Sequence, residues 1–94
     1  IMRLNVPNSF TPGDDGINDN FKPIFSAPDL IKYYEFDIYN RWGELIFSTK
    51  NQYDAWDGKY NGVPCQSGAY TWKIKYTDYL NTTKDAHGHV VLLW

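Results

Sequence analysis

The sequence has little that would fix a fold covalently or place it in a membrane or on nucleic acid. Its single cysteine, Cys65, cannot form an internal disulfide. It has no run of about 18 apolar residues, the length needed to span a bilayer. The 9 Lys and Arg residues are scattered among 11 Asp and Glu residues, so the basic stripe typical of nucleic-acid-binding proteins is missing. These absences exclude a disulfide scaffold and argue against a membrane-spanning or nucleic-acid-binding role.

The sequence also lacks the residue spacings typical of enzymes and metal sites. No Ser/His/Asp order, phosphate-binding glycine loop or zinc-ligand spacing is present. His87 and His89 would share one face of a strand, but no third or fourth ligand is evident, so we expect an exposed pair. Cys65 is expected to be a small, half-buried residue rather than a nucleophile. We therefore expect no enzymatic activity.

Aromatic residues, by contrast, are abundant. They make up 18% of the 94 residues, with eight Tyr, five Phe and four Trp. A chain of this length forms one small domain with a thin core, and large rings bury much apolar area per residue. We expect residues 1–94 to form a single domain that is part of a larger protein.

Apolar and polar residues alternate through most of the chain, which predicts β-strands. Tyr70, Trp72, Ile74 and Tyr76 would face a core, while the Thr and Lys residues between them would face solvent. Pro23 would place its strand at a sheet edge or a bulge. The other predicted strands are residues 2–6, 21–25, 34–39, 44–48 and 89–94.

Turn signals separate these strands. Asn40–Glu44 is predicted to be a tight turn in which Gly43 takes a positive φ angle. Residues 56–68 are predicted to be rich in loops, residues 78–88 are predicted to be a polar hairpin tip, and one helical turn is expected near Ala27–Lys32. The pattern predicts an all-β fold, an immunoglobulin-like antiparallel β-sandwich of about seven short strands. A partly closed barrel is the alternative.

One loop concentrates oxygen-bearing side chains between Phe10 and Phe21. Asp14, Asp15, Asn18 and Asp19 could coordinate calcium together with backbone carbonyls, although the spacing is not that of an EF-hand. The same side chains could instead hold a turn by bonding to nearby backbone N–H groups. Both interpretations stay open. No cofactor is required by the sequence, and calcium is the one candidate.

Two tryptophans precede glycine-containing turns. Trp42 is followed by Gly43, and Trp56 by Asp57 and Gly58. Exposed rings at these positions would form a platform for sugars. Buried rings would close the ends of the sandwich, and the need for large core side chains in a small domain favours this interpretation.

These motifs in combination resemble the gliding motility-associated C-terminal domain family, the type B C-terminal sorting domains of the type IX secretion system of Bacteroidetes. The resemblance covers residues 5–94. It is carried by the segments NSFTPGDDGINDNF, FDIYNRWGELIF, WDGKYNGVPCQSGAYTWKIKY and GHVVLLW. The motif residues, expected to be structural, are Phe10, Thr11, Pro12, Gly16, Asn40, Arg41, Trp42, Gly43, Trp56, Asp57, Gly58, Gly68 and Tyr70. One departure is Gly13-Asp14, where the family usually has Asn-Gly.

The resemblance implies a secretion signal rather than a catalyst. The domain would be fused to an N-terminal cargo protein and would direct it through the periplasm and outer membrane to the cell surface or medium. Its other partners would be the outer-membrane translocon proteins, which would recognise it as a folded module. The alternatives are a carbohydrate-binding module and a structural spacer of a surface adhesin.

The sequence also suggests a recognition strand. A sandwich has open edge strands, and a partner can add to one through backbone hydrogen bonds. The terminal apolar run, Val90, Val91, Leu92, Leu93 and Trp94, is the candidate. The alternative is that this run is an ordinary core strand.

Overall fold

The computed structural model describes residues 2–13 and 20–94, which form an all-β structure. Its strands are β1 (Leu4–Asn5), β2 (Ser9–Phe10), β3 (Ile24–Phe25), β4 (Ile31–Tyr39), β5 (Leu45–Thr49), β6 (Lys59–Tyr60), β7 (Val63–Pro64), β8 (Gly68–Asp78) and β9 (Thr83–Leu92). A 3₁₀ turn, Pro28–Leu30, lies directly before β4 and confirms the predicted helical turn.

Five strands form the main sheet, in the order β2-β9-β8-β4-β5. The pairs β4–β5, β4–β8 and β8–β9 are antiparallel, as predicted. The β2–β9 pair is parallel, which corrects the expectation of a purely antiparallel arrangement. A short hairpin imposes antiparallel pairing only on strands that follow each other in the chain, and β2 and β9 are far apart in sequence.

The core lies on one face of the main sheet, where the predicted alternation is confirmed. On β8, Tyr70, Trp72, Ile74 and Tyr76 are all at most 9% exposed, while the Lys residues between them are exposed. On β4 the buried side chains are Ile31, Tyr34, Phe36 and Ile38. The two strands are paired along their length, so these side chains form one continuous apolar surface.

A second, more irregular layer covers this apolar surface. It contains the β1–β3 ladder and an isolated bridge between Phe21 and Trp56. The Phe25 ring contacts those of Tyr34 and Tyr76, with centroids 5.8 and 5.0 Å apart. Pro23 separates the bridge from β3, as expected for a residue that cannot donate to a ladder. The two layers enclose an aromatic core.

Two loop predictions needed correction. Residues 83–88, predicted to be part of a loop, belong to β9 and pair with β8 in an unbroken register. Their Lys, Asp, His and Gly residues have low strand propensity, but pairing with a long neighbouring strand overrides it. Residues 56–68 contain the short β6–β7 hairpin, whose turn residues Asn61 and Gly62 both have positive φ.

The prediction of an all-β sandwich is confirmed. Nine strands occur in the described ranges rather than about seven, because several are ladders of only two residues. The immunoglobulin-like topology and the single domain over residues 1–94 stay predictions. Within residues 2–13 and 20–94, none of the helical segments has the length and apolar character needed to cross a bilayer.

Candidate functional site

Four aromatic rings from distant parts of the sequence meet at one end of the core. Phe10 and Phe21 stack with centroids 5.6 Å apart. The Trp56 ring packs against those of Phe10 and Tyr70, with centroid separations of 5.4 and 5.1 Å. Backbone hydrogen bonds of 2.9 and 2.8 Å also join Phe21 to Trp56 in both directions. The two aromatic residues that flank the Asp-rich segment in the sequence are therefore a stacked pair in the core.

The residues of that loop lie outside the described part of the chain. Asp14, Asp15, Gly16, Asn18 and Asp19 are all in this group. Among residues 2–13 and 20–94, no group of three or more His, Cys, Asp or Glu side chains is placed to hold a metal ion. Calcium binding by the loop stays a prediction.

If the loop binds calcium, adding calcium should raise the melting temperature of the domain and a chelator should lower it. A ligand that binds only the native state stabilises it by mass action, by about 2.7 kcal/mol at a hundredfold excess over the dissociation constant. The measurement is thermal unfolding followed by circular dichroism across calcium concentrations. The variant Asp15→Asn should lose the response. Identical melting curves with calcium and with chelator would leave only the turn interpretation.

The Trp56-Asp57-Gly58 motif forms a close contact between distant segments. Gly58 has a φ angle of +81°, and a Cβ atom there would lie 2.9 Å from Pro12 Cγ and within 3.3 Å of the Leu92 and Trp94 side chains. The Asp57 carboxylate accepts a hydrogen bond from the backbone N–H of Lys59 at 3.0 Å, which stabilises the turn. Three motifs that are separate in sequence therefore pack against one another at this point.

Cys65 belongs to the same end of the molecule. Its backbone N–H donates to Gly58 O at 2.8 Å, and its carbonyl accepts from Trp94 Nε1 at 2.6 Å. Its side chain is partly buried and packs against the core, which confirms the predicted filler role. Burial is the largest cause that raises the pKa of the Cys65 thiol, so the reactive thiolate form is disfavoured.

The Asn40–Glu44 turn is held by the Asn40 side chain. Its Oδ1 atom accepts from the backbone N–H groups of Trp42 and Glu44 at 2.9 and 3.0 Å, and its Nδ2 donates to the Glu44 carboxylate. Gly43 has a φ angle of +82°, as predicted for this turn. This geometry explains why the motif needs Asn at its first position and Gly at its fourth.

The two motif tryptophans have opposite environments. Trp56 is fully buried, as predicted, and this excludes it from a sugar-binding platform. Trp42 is 74% exposed, so the prediction that it closes an end of the sandwich was wrong. The tight turn directs the Trp42 ring away from the core. The Arg41 guanidinium lies over this ring, with its Cζ atom 4.9 Å from the ring centroid. The adjacent cleft is also lined by Tyr60 and Gln66, which the sequence did not indicate.

The other described motif residues have different environments. Thr11 is exposed, Pro12 is partly buried against Gly58, and Gly68 begins β8 with a φ angle of +149°. The Tyr70 hydroxyl donates to Gln66 O at 2.6 Å. His87 and His89, predicted to be an exposed pair, are both exposed.

The terminal apolar run is divided between the core and the surface. Val90 and Leu92 are fully buried, whereas Val91, Leu93 and Trp94 are 38%, 49% and 50% exposed. The backbone N–H groups of Val91 and Leu93 already donate to Asn8 O and Phe10 O, at 2.9 and 3.1 Å. Recognition through this run would therefore use exposed side chains.

A family model described as CHU_C Type IX secretion signal domain matches residues 4–92, nearly the whole chain. The chain belongs to this type IX secretion signal domain family. The resemblance drawn from the sequence motifs is thereby confirmed. No curated protein matches the chain.

Membership of the type IX secretion signal domain family defines the broad role of the chain. It is a family of secretion signals and not of enzymes. A secretion signal implies a fused cargo protein, a secretion machinery that recognises it, and export to the cell surface or medium. Among the motif residues that carry the resemblance, Asn40, Gly43, Asp57 and Gly58 lie in turns, and Phe10, Trp56 and Tyr70 belong to the aromatic end of the core.

Proposed function

We propose that this domain is read as a folded module by the outer-membrane translocon of the type IX system, which moves the attached cargo from the periplasm to the cell surface or medium. The observation that carries the proposal is the family match over residues 4–92. It is supported by the packing of Gly58 against Pro12, Leu92 and Trp94, because motifs brought together only by folding suit a signal recognised by its shape.

The exposed part of the terminal run is the proposed contact with the translocon. Val91, Leu93 and Trp94 present apolar surface beside the buried Val90 and Leu92, which hold the segment in place. The Trp94 backbone and indole N–H groups donate to Ser67 Oγ and Cys65 O, so this end of the segment is ordered as well. An ordered apolar surface loses little conformational entropy on binding.

The test is the export of a reporter fused to the N-terminus of the domain, in a bacterium with a type IX system. The pair Val91→Thr and Leu93→Ser should reduce the amount of reporter outside the cell while the purified domain stays folded, because neither side chain belongs to the buried core. Leu80→Ser is the matched control, since Leu80 is 87% exposed at the opposite end of the β8–β9 hairpin. Undiminished export by the folded double variant would rule out this contact.

Carbohydrate binding is the second candidate function, and the exposure of Trp42 favours it. Its ring lies beside Arg41, Tyr60 and Gln66, which combine an aromatic surface with hydrogen-bonding groups. Titration with cellotetraose should then change the tryptophan fluorescence of the domain, and the variant Trp42→Ala should lose this change. Constant tryptophan fluorescence across the cellotetraose concentrations would argue against binding of this sugar. A structural spacer in an adhesin stays a further alternative, which the position of the domain in the full-length protein would distinguish.

A further inference from the structure

β9 forms an open edge of the main sheet over most of its length. β8 pairs with it from Thr83 to Leu92, whereas β2 pairs on the other side only with Val91 and Leu92. Within the described part of the chain, no backbone hydrogen bond reaches the outer side of residues 83–89. This segment, the free edge, is a row of unused donors and acceptors.

The direction of each backbone group along the free edge follows from the pairing. The Val91 N–H points away from β8, because it donates to the carbonyl of Asn8, the residue directly before β2, at 2.9 Å. The β8–β9 register continues without a shift, so every second residue back along the strand has the same orientation. The N–H and C=O groups of Asp85, His87 and His89 therefore point outward.

A buried donor without a partner lies beside the same edge. Trp72 is 9% exposed, and among residues 2–13 and 20–94 its Nε1 atom finds no hydrogen-bond partner. Trp72 is the cross-strand neighbour of Gly88, and its indole covers this glycine: a Cβ atom on Gly88 would lie 2.6 Å from Trp72 Cζ2 and 3.3 Å from Nε1. Buried indole N–H groups usually have an acceptor. Here the acceptor position adjoins the free edge.

The opposite edge of the sheet, β5, is less suited to strand addition. β5 has five residues, and its pairing with β4 shifts register near Tyr39. Its last residue, Thr49, bonds to Asp54 in the loop that follows. The free edge of β9 is longer and regular in register, and the charged Lys84 and Asp85 lie near its start, away from Gly88.

We propose that the free edge of β9 receives an extended segment of the secretion machinery as an additional strand, with a hydrogen-bond-acceptor side chain opposite Gly88 that pairs with Trp72 Nε1. This inference rests on the proposed function. The backbone ladder supplies affinity, and the acceptor side chain selects the segment and its register. In the added strand, the residue opposite Gly88 would be Asp, Glu, Asn, Gln, Ser or Thr, because the side chain of that residue would lie on the core face of the sheet, beside the Trp72 indole.

Proline at position 87 tests the ladder. The His87 N–H faces outward, so His87→Pro removes a donor that β8 does not use, and edge strands tolerate such a proline. His87→Thr is the matched control that keeps the donor. We expect the His87→Pro fusion to export about tenfold less reporter than the His87→Thr fusion, with both domains folded. Equal export by the two variants would overturn the inference while leaving the proposed function standing.

A second variant tests the indole and does not depend on a proline being tolerated. Trp72→Phe keeps an aromatic ring at this position but removes the N–H group and part of the indole. Loss of the unsatisfied donor offsets part of the cost of the smaller ring, so the purified domain should stay folded, which circular dichroism checks. Export should nevertheless fall below that of the unaltered domain. Unchanged export with Trp72→Phe would show that no acceptor is placed there.

The remaining outcomes are also decisive. If the unaltered domain exports no reporter, the proposed function fails and the inference fails with it. If the purified domain dimerises in size-exclusion chromatography with light scattering, and His87→Pro abolishes the dimer, the edge pairs with a second copy and the inference is wrong. A monomer at all concentrations, combined with the export defects, supports it.

Discussion

Replacing Trp56 by Ala is expected to lower the free energy of unfolding by about 3–5 kcal/mol, the usual cost of truncating a large buried aromatic side chain. Trp56 is fully buried and contacts the rings of Phe10 and Tyr70. Its Nε1 atom also donates to Lys59 O at 3.0 Å, so the truncation leaves that carbonyl without its partner. Small domains have about 5–15 kcal/mol of stability in total, so the variant should be close to unfolding.

Urea unfolding followed by circular dichroism measures this effect. Trp42→Ala is the matched control, because it removes the same side chain from a site that is 74% exposed. Its stability should change by no more than about 0.5 kcal/mol, the usual range for surface substitutions. A comparable loss in both variants would mean that the environments of the two tryptophans are not those described above.

Replacing Gly58 by Ala is expected to destabilise the domain by about 2–5 kcal/mol. Two causes add: an L-residue at positive φ costs roughly 1–2 kcal/mol, and forcing a methyl group into packed surroundings costs about 1–3 kcal/mol. The second cause arises because the new Cβ atom would lie 2.9 Å from Pro12 Cγ. Either Pro12 and its loop or Gly58 and its turn must move to relieve the contact.

Gly62→Ala separates the two causes. Gly62 has a φ angle of +79°, almost the same as the +81° of Gly58, but nothing lies within 4 Å of its Cβ position. The two substitutions thus share the backbone strain and the change in unfolded-chain entropy. The difference between their unfolding free energies measures the close approach of Pro12, Leu92 and Trp94. Equal losses would mean that these side chains do not press against Gly58.

The sequence was most informative where one physical effect dominated. The alternation from Tyr70 to Tyr76 predicted a strand with one buried face, because a period of two allows no other way to bury four large side chains together. The Asn40–Glu44 turn was predicted as well, since Gly43 accepts a positive φ that other residues resist. The same local chemistry predicted that Cys65 fills space at the edge of the core.

Features that depend on distant partners could not be predicted from local patterns. Residues 83–88 look like a polar loop and become a strand only because β8 offers a long paired neighbour. Trp42 has the large apolar side chain of a typical core residue, yet the turn held by Asn40 directs this side chain outward. The parallel β2–β9 pair has no sequence signal, because it joins residues from nearly opposite ends of the chain. The cleft residues Tyr60 and Gln66 were missed for the same reason.

Because β2 pairs with β9, the fold can be completed only after nearly all of the described chain has been synthesised. Phe10 cannot complete its strand, and Gly58 cannot complete its packing, until Leu92 is present. Contacts between such distant residues form late and slow the folding reaction. A chain interrupted before β9 is translated would have all the earlier motifs but no assembled surface. Recognition of the folded shape would therefore reject unfinished chains without any separate proofreading step.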